Sequence, residues 1–486
     1  MDGIEVPKAE VPAAPGRMGA GLLAASPSFG GHAEEILGLQ EAGRRLQDAT
    51  SRGRQLSFLA LARLQRSDQE GAAAAVAEVK ALPSLPEAIG EHFWERPEQR
   101  MQLCQMSGVG YFMETFIAVL GLQSFLERGV LTPEVPSTWL VGVKDYDDEL
   151  YLLGTIGALR ELERYAVGRG QQLDLRSVRL CLGVALSLEQ ALMQFNFRNS
   201  DLRQRFDGIK YAVKRLESLA YEIDLAQQRA AAVQAASGAP QAADNAGEAE
   251  AATGAEDPVA AAGEASAIDL GILGEIKVRY DAFDEQREQV MKRSRDVVKV
   301  AKNAIYALHR EDFRKAETFL KQCAKDATEI HNDVISKCPR LRDGFFSSAL
   351  EELAEALVYR AFRRDRQLLS LQEMQQESGL GFPMTLTEYL GGIMDLTGEV
   401  GRMAIRSASG GRKARPTVER CLACVDAVYN GVQELPGLPS RLSKKIGPLK
   451  QTLTKIEGVL YELALLSQGV SRRVEEAPGA EETMEE

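Results

Sequence analysis

The stretch EYLGGIMDLTGEVGRMAI, from Glu388 to Ile405, decides the fold class. Within it Tyr389, Ile393, Leu396, Val400 and Met403 recur at alternating steps of four and three. That spacing puts all five on one side of an α-helix, as a stripe that a core would cover. The same recurrence, broken by short Gly, Pro or Asn punctuation, runs through most of the chain. Alternation of the period-two kind, which a half-buried strand needs, does not extend over a useful length. Ala, Leu, Glu, Arg and Gln are abundant, and these are good helix formers. The expected fold is all-α.

The stretch has a counterpart earlier in the chain. ELYLLGTIGALRELERYAV, Glu149 to Val167, aligns with it so that Tyr151, Leu152, Gly154, Glu161, Arg164 and Ala166 meet Tyr389, Leu390, Gly392, Glu399, Arg402 and Ala404. Further on, LRQRFDGIKYAVKRLESLAYEI (Leu202–Ile223) aligns with LSKKIGPLKQTLTKIEGVLYEL (Leu442–Leu463). There Lys210, Glu217, Tyr221 and Glu222 meet Lys450, Glu457, Tyr461 and Glu462. The offset shifts by only two residues between the blocks, so a duplicated helical domain accounts for the likeness. Residues 228–268, between the copies, are rich in Ala, Gly and acid and contain no aromatic residue. Such a segment buries too little apolar area to offset its ordering entropy, so it reads as a linker, partly helical through its alanines. The expected organisation is a disordered tail at 1–30, a helical bundle at 31–227, the linker at 228–268, a second bundle at 269–470 and an acidic tail at 471–486.

A length of 486 residues allows two or three domains with a sizeable core in each. Asp2, Glu5 and Glu10 precede any apolar stretch, which argues against a secretory or transit peptide. Apolar runs stay short of the roughly 20 residues a bilayer crossing needs, so no membrane partner is expected. Of the six cysteines only Cys421 and Cys424 form a CxxC, with no second pair or nearby histidine to complete a metal site. They read as reduced thiols in a helix. The net charge of −12 means that any nucleic-acid site must be a local basic patch.

Comparing the copies singles out carboxylates. Asp395 stands where the first copy has Gly157, while Glu161 and Glu399 are shared. Asp395 and Glu399 lie four apart, on one helix face. Upstream, LEELAEALVYRAF (Leu350–Phe362) is an apolar helix that places Glu352 and Glu355 three apart on one face. Two helices that each offer a carboxylate pair can converge on a divalent cation, and Mg²⁺ takes such hard oxygen ligands. A metal held there can activate water and stabilise charge on a phosphate. Against this stands the ordinary surface ion pair: Glu95/Glu98 and Glu285/Glu288 have the same spacing without a role, Glu399 could pair with Arg402, and Glu351 beside Glu352 weakens the pattern. Burying Asp395 within YLGGIMDLTG without a partner would be costly, which favours the cation site. No histidine stands out as an acid or base, because His309 and His331 fall on other predicted helices.

At these residues the chain resembles the translin family. NFRNSDLRQRFDGIKYAVKRLESLAYEIDL (Asn196–Leu225) is similar to the C-terminal signature of translin. The second copy is similar to TRAX in RYDAFDEQREQVMKRSRDVVKVAKNAIYALHR (Arg279–Arg310), in YLGGIMDLTGEVGRM and in its closing helix. The resemblance implies a translin-type helical bundle in each copy. It also implies a Mg²⁺-dependent (or Mn²⁺-dependent) endoribonuclease acting on single-stranded RNA, of the kind that removes passenger-strand fragments in RNA silencing and trims tRNA-processing fragments in cytoplasm and nucleus. The family's catalytic, metal-holding acids fall on Glu352, Glu355, Asp395 and Glu399. The first copy, with Gly157 and no ExxE around METFIAVLGL, is then catalytically silent. It would bind single-stranded RNA and DNA through Arg100, Arg203, Arg205, Lys210, Lys214 and Arg215, although the last five also suit a solvated helix face. Translin's basic segments are poorly kept: Glu95 stands where a basic residue belongs, and GAAAAVAEVKAL has a single lysine. Self-association of four chains into an eight-domain barrel is implied as well. Two other readings stay open, a non-catalytic binder of single-stranded RNA or DNA, and a helical scaffold.

Overall fold

The computed structural model describes residues 29–131, 144–198, 200–236 and 270–467, together with Leu23 and Ile268. Among these residues every regular element is a helix. In chain order they are α1 (Ala33–Leu64), α2 (Gln69–Lys80), α3 (Leu85–Ile89), α4 (Glu91–Trp94), α5 (Pro97–Met106), α6 (Val109–Arg128), α7 (Lys144–Gln171), α8 (Leu175–Leu192), α9 (Asp201–Asp207) and α10 (Ile209–Ala236). There follow α11 (Leu270–His309), α12 (Phe313–Ile330), α13 (Phe345–Asp365), α14 (Leu371–Ser378), α15 (Leu386–Ala408), α16 (Arg415–Gln433) and α17 (Ser440–Ser467).

The helices form two compact units whose borders differ from the expected ones. One unit is Gly38–Glu288; the other joins Met1–Leu37 to Gln289–Glu486. The expected tails at 1–30 and 471–486 lie almost wholly outside the described residues, as does most of the linker. Both ends of the linker that are described belong to folded structure. Residues 228–236 continue α10, and Ile268 is buried in the core of the Gly38–Glu288 unit. Helical periodicity reveals that a face is apolar but not which bundle will cover it.

In the first unit α6 and α7 form the central pair. Gly154 lets them approach: a Cβ there would collide with Ile117 and lie 3.0 Å from the Glu114 carbonyl oxygen. Helix α6 supplies Phe112, Phe116, Leu122 and Phe125 to the core. It is also long and apolar enough to span a bilayer by length and composition, contrary to the sequence expectation, but most of it is buried in this unit. Asp174 caps α8 by accepting from the Ser177 backbone N–H at 3.0 Å. The start of α11 completes the unit. Ile268, Leu273 and Ile276 join its core, Tyr280 packs edge-on against Phe195 and Phe197, and Arg198 pairs with Asp284 at 2.8 Å and Glu288 at 2.7 Å.

The second unit repeats the plan with α13 and α15 at its centre. A Cβ on Gly392 would sit 2.5 Å from that of Ala354 and 2.8 Å from the Glu351 carbonyl oxygen, so only glycine permits this approach. Tyr389, Ile393, Leu396 and Val400 are buried as the stripe requires, and Met403 is half-buried at its end. Thr385 and Glu388 form a capping box at the start of α15. Glu388 also meets Arg342 at 2.9 Å in an almost fully buried pair. Phe29, from the first residues of the chain, fills the space left by Gly431 and packs against Tyr389 with ring centroids 6.3 Å apart. None of the six cysteines, all among the described residues, forms a disulfide, and all are buried. Burial pushes the Cys421 thiol up to about 12 and raises that of Cys424 well above the ordinary thiol value, so the CxxC offers no thiolate.

Candidate active site

The close approach of α13 and α15 brings the second unit's carboxylates together. Glu351, Glu352 and Glu355 lie on α13, and Asp395 and Glu399 on α15. Helix α17 adds Arg441 and Lys445, and α11 adds Lys302 and His309. A Cβ on Gly391 would meet the Glu351 carboxyl carbon at 2.5 Å, so this glycine makes room for the acid.

The acids do not play equal parts. Glu351 is 7% exposed and clamped by Arg441 and by Lys445 at 2.9 Å. Lys445 also donates to Asp395 at 2.5 Å and to the Gly391 carbonyl oxygen at 3.3 Å. Burial works against the Lys445 ammonium, yet the hydrogen bonds and charges of Asp395 and Glu351 outweigh it and raise its pKa. Glu352 pairs with Lys302 at 3.2 Å; burial is the main reason its pKa is nonetheless raised, with Asp395 adding to it. Glu355 is 8% exposed, and among the described residues no hydrogen bond or ion pair holds it. Burial, then the charges of Glu352, Asp395 and Glu399, push its pKa up to about 8, opposed by Lys445. Such a buried carboxyl keeps its proton unless a cation arrives.

Glu399 is anchored differently. His309 Nε2 lies 2.6 Å from one carboxylate oxygen, and Arg402 donates to the other at 2.5 Å. Burial alone would raise the Glu399 pKa, but His309 and Arg402 outweigh it and lower it. His309 Nδ1 is 3.0 Å from the Tyr359 hydroxyl, which burial pushes up to about 12. His309 lies on another helix, as the sequence predicts, and enters the site as an anchor of Glu399. His309 follows Glu399 by contact, across 90 residues of chain, and no local spacing signals it.

The first unit provides an internal control. Gly154 seats against the Glu114 carbonyl as Gly392 does against that of Glu351, so Glu114 corresponds to Glu351, Thr115 to Glu352 and Ala118 to Glu355. Gly157 stands for Asp395, and a Cβ there would lie 3.3 Å from that of Ala118. Arg205 pairs with Glu114 at 2.9 Å, as Lys445 does with Glu351. Gln65, preceding the left-handed Ser67 and the capping Asp68 as His309 precedes Glu311 and Asp312, donates to Glu161 at 3.1 Å. The Glu351 clamp and the Glu399 anchor are therefore shared architecture. Glu352, Glu355 and Asp395 are peculiar to the second unit.

The expected convergence of acids on a cation is only partly met. Glu352, Glu355 and Asp395 act on one another electrostatically, but among the described residues no three His, Cys, Asp or Glu side chains already form a ligand set. Lys302 and Lys445 hold two of the acids instead. Of the expected nucleic-acid residues, Arg205 is tied to Glu114, Arg203 to Asp207 at 3.0 Å and Arg215 to Glu163 at 2.8 Å. Arg100 donates to the Trp94 carbonyl at 3.0 Å and lies over its ring. Lys210 sits 5.1 Å from the Tyr211 ring centroid, and Lys214 is exposed.

A family model described as the Translin family matches residues 44–227 and again 285–466. Translin-associated protein X of Rattus norvegicus is 26% identical over 234 residues, 41% of this chain and 78% of its own length. The Translin-associated protein X homolog of Schizosaccharomyces pombe is 23% identical over 199 residues, 37% of this chain and 82% of its own. Translin of Gallus gallus is 29% identical over 113 residues, 23% of this chain and 43% of its own. A solved structure titled "Crystal structure of apo-NeC3PO" is 20% identical, with a TM-score of 0.34, covering 39% of this chain and 96% of its own.

Proposed function

Because this chain belongs to the translin family through both of its halves, we propose that it is an endoribonuclease that cleaves single-stranded RNA with Mg²⁺ or Mn²⁺. Its substrates are then single-stranded fragments from RNA silencing and tRNA processing, in the cytoplasm and nucleus. The observation that carries the reading is Glu355, a buried carboxyl without a partner among the described residues, beside two further acids that the first unit lacks. Their oxygens are the hard donors Mg²⁺ takes, and a cation would offset the burial and the repulsion that keep Glu355 protonated. Glu352, Glu355 and Asp395 would hold the ion, while Glu399, kept by His309 and Arg402, would orient the edge of the site. When bound, the ion supplies Lewis acidity at the phosphodiester. Lys302, released from Glu352, and Lys445, released from Asp395 while still held by Glu351, would then face phosphate oxygens. Incubating the chain with labelled single-stranded RNA in Mg²⁺ or EDTA tests this. Cleavage should need the metal and disappear in Glu355→Gln and Asp395→Asn; cleavage that survives in EDTA or in both variants removes the model.

A second reading, a binder of single-stranded RNA or DNA without cleavage, draws on the two lysines that already neutralise Glu352 and Asp395. Retained binding with no cleavage in either metal would favour it. Four chains would complete an eight-domain barrel under either reading, and a stable monomer in light scattering would exclude that assembly.

A further inference from the structure

Lys445 joins three helices of the second unit. Its ammonium, on α17, lies 2.9 Å from Glu351 on α13 and 2.5 Å from Asp395 on α15, and donates to the Gly391 carbonyl oxygen at 3.3 Å. An ammonium has three N–H donors, and these three acceptors use them all. The two carboxylates depend on it unequally. Arg441 holds the other oxygen of Glu351, so Glu351 keeps a counter-charge without Lys445. The Asp395 side chain is 42% exposed and has no other ion pair or hydrogen bond among the described residues. Lys445 can therefore leave Asp395 without undoing the Glu351 clamp. Glu355, 8% exposed and acted on by the charges of both Asp395 and Lys445, has no partner of its own among the described residues.

The first unit shows what the clamp alone requires. There one guanidinium, Arg205, reaches both oxygens of Glu114, at 2.9 and 3.4 Å. Gly157 offers it no second acid, and Asp201 stands where α17 has Arg441. The second unit divides the clamp between Arg441 and Lys445, and turns one of the two cations toward Asp395 as well. Holding Glu351 does not explain that second contact.

From this arrangement we propose that Lys445 is the site's own counter-ion, a tethered competitor that a divalent cation must displace from Asp395 and that a strand phosphate draws away. Lys445 thereby couples the two ligands. A phosphate that takes the ammonium leaves Asp395 to the metal, and by linkage the metal frees the ammonium for phosphate to the same degree. The cation is then held weakly until a strand arrives. The inference rests on the reading that a divalent cation visits these acids; it does not depend on cleavage.

The test is Mn²⁺ binding to the full chain, with free Mn²⁺ counted by electron paramagnetic resonance. It is run alone and with an oligodeoxyuridylate, which offers phosphates without 2′-hydroxyls. Without the oligonucleotide, Lys445→Met should bind Mn²⁺ about tenfold tighter than the wild type, because no ammonium has to be displaced. The oligonucleotide should tighten Mn²⁺ binding by a factor about tenfold larger in the wild type than in Lys445→Met. Lys444→Met removes the same charge from an exposed neighbour that has no ion pair among the described residues, and should keep wild-type values. Circular dichroism checks the fold, and Lys445→Gln should repeat the result if Met disturbs the packing. Equal affinity in Lys445→Met and the wild type overturns the inference and leaves the nuclease reading standing. Weaker binding in both Lys445 variants overturns it too, since Lys445 then only supports the site, and so does equal tightening in Lys444→Met. Absence of Mn²⁺ binding in every protein overturns the inference together with the metal reading. Tighter Mn²⁺ in Lys445→Met, with RNA left uncut by the wild type in Mg²⁺, supports the inference and sinks the nuclease reading.

Discussion

Replacing Glu355 by Gln should stabilise the second unit at neutral and higher pH while abolishing RNA cleavage. In the folded chain the Glu355 carboxyl titrates at about 8, against an ordinary value of 4.5. Between these values the native state keeps a proton that the unfolded chain has released. Stability is therefore complete below the unfolded value and falls as pH rises, by up to about 1.4 kcal/mol per pH unit. The fall reaches roughly 3 kcal/mol at pH 7 and at most about 5 kcal/mol above pH 8. Gln keeps the shape, carries no charge and escapes this loss. Urea unfolding at pH 5 and pH 8, with hydrogen exchange in α13 to isolate the second unit, measures the difference. Mg²⁺ should restore wild-type stability by about 2.7 kcal/mol at a hundredfold excess over its Kd and leave the variant unmoved. Parallel pH dependences for the two proteins would refute the reasoning.

Further outcomes follow from other contacts. Glu399, whose folded pKa is lowered, stabilises the second unit above its unfolded value, and this contribution is lost as pH falls through the folded one. Glu399→Gln should flatten the acid limb of a circular-dichroism titration below about pH 4, and an unchanged limb would contradict the His309 and Arg402 contacts. Arg342→Met strands the buried Glu388 carboxylate and should cost about 3–5 kcal/mol in urea unfolding, whereas a loss under about 1 kcal/mol would show that Glu388 finds another partner. Phe29→Ala empties the space beside Gly431 and should cost about 3–5 kcal/mol, with exchange protection lost in α15 and α16. Protection lost in α6 instead would place Phe29 in the wrong unit.

What could be read from the residues alone depended on distance along the chain. The Tyr389–Val400 stripe is local, and it is buried as its period requires. The duplication was equally legible, because Gly154 and Gly392 perform one steric task in two places. The individuality of the acids was not. Glu351 looked like noise beside Glu352, yet it is the clamp shared with Glu114, and only the approach of α17 reveals it. His309 was invisible for the same reason: its role is set by where α11 passes α15, not by its neighbours in sequence. Lys302 and Lys445 likewise reach the acids from remote helices, so the sequence suggested an open cation pocket where two ammonium groups sit.

The allocation of Phe29–Leu37 to one bundle and of Ile268–Glu288 to the other sets a timetable for synthesis. As the chain leaves the ribosome, the first bundle cannot close its core until the strip at Ile268–Ile276 has emerged, long after its own last helix. Phe29 is made long before Gly431 and must wait for it to gain a seat. Cutting the gene between residues 237 and 267 would therefore yield two polypeptides that each carry a piece belonging to the other's fold, and expression boundaries are better chosen by unit than by linker.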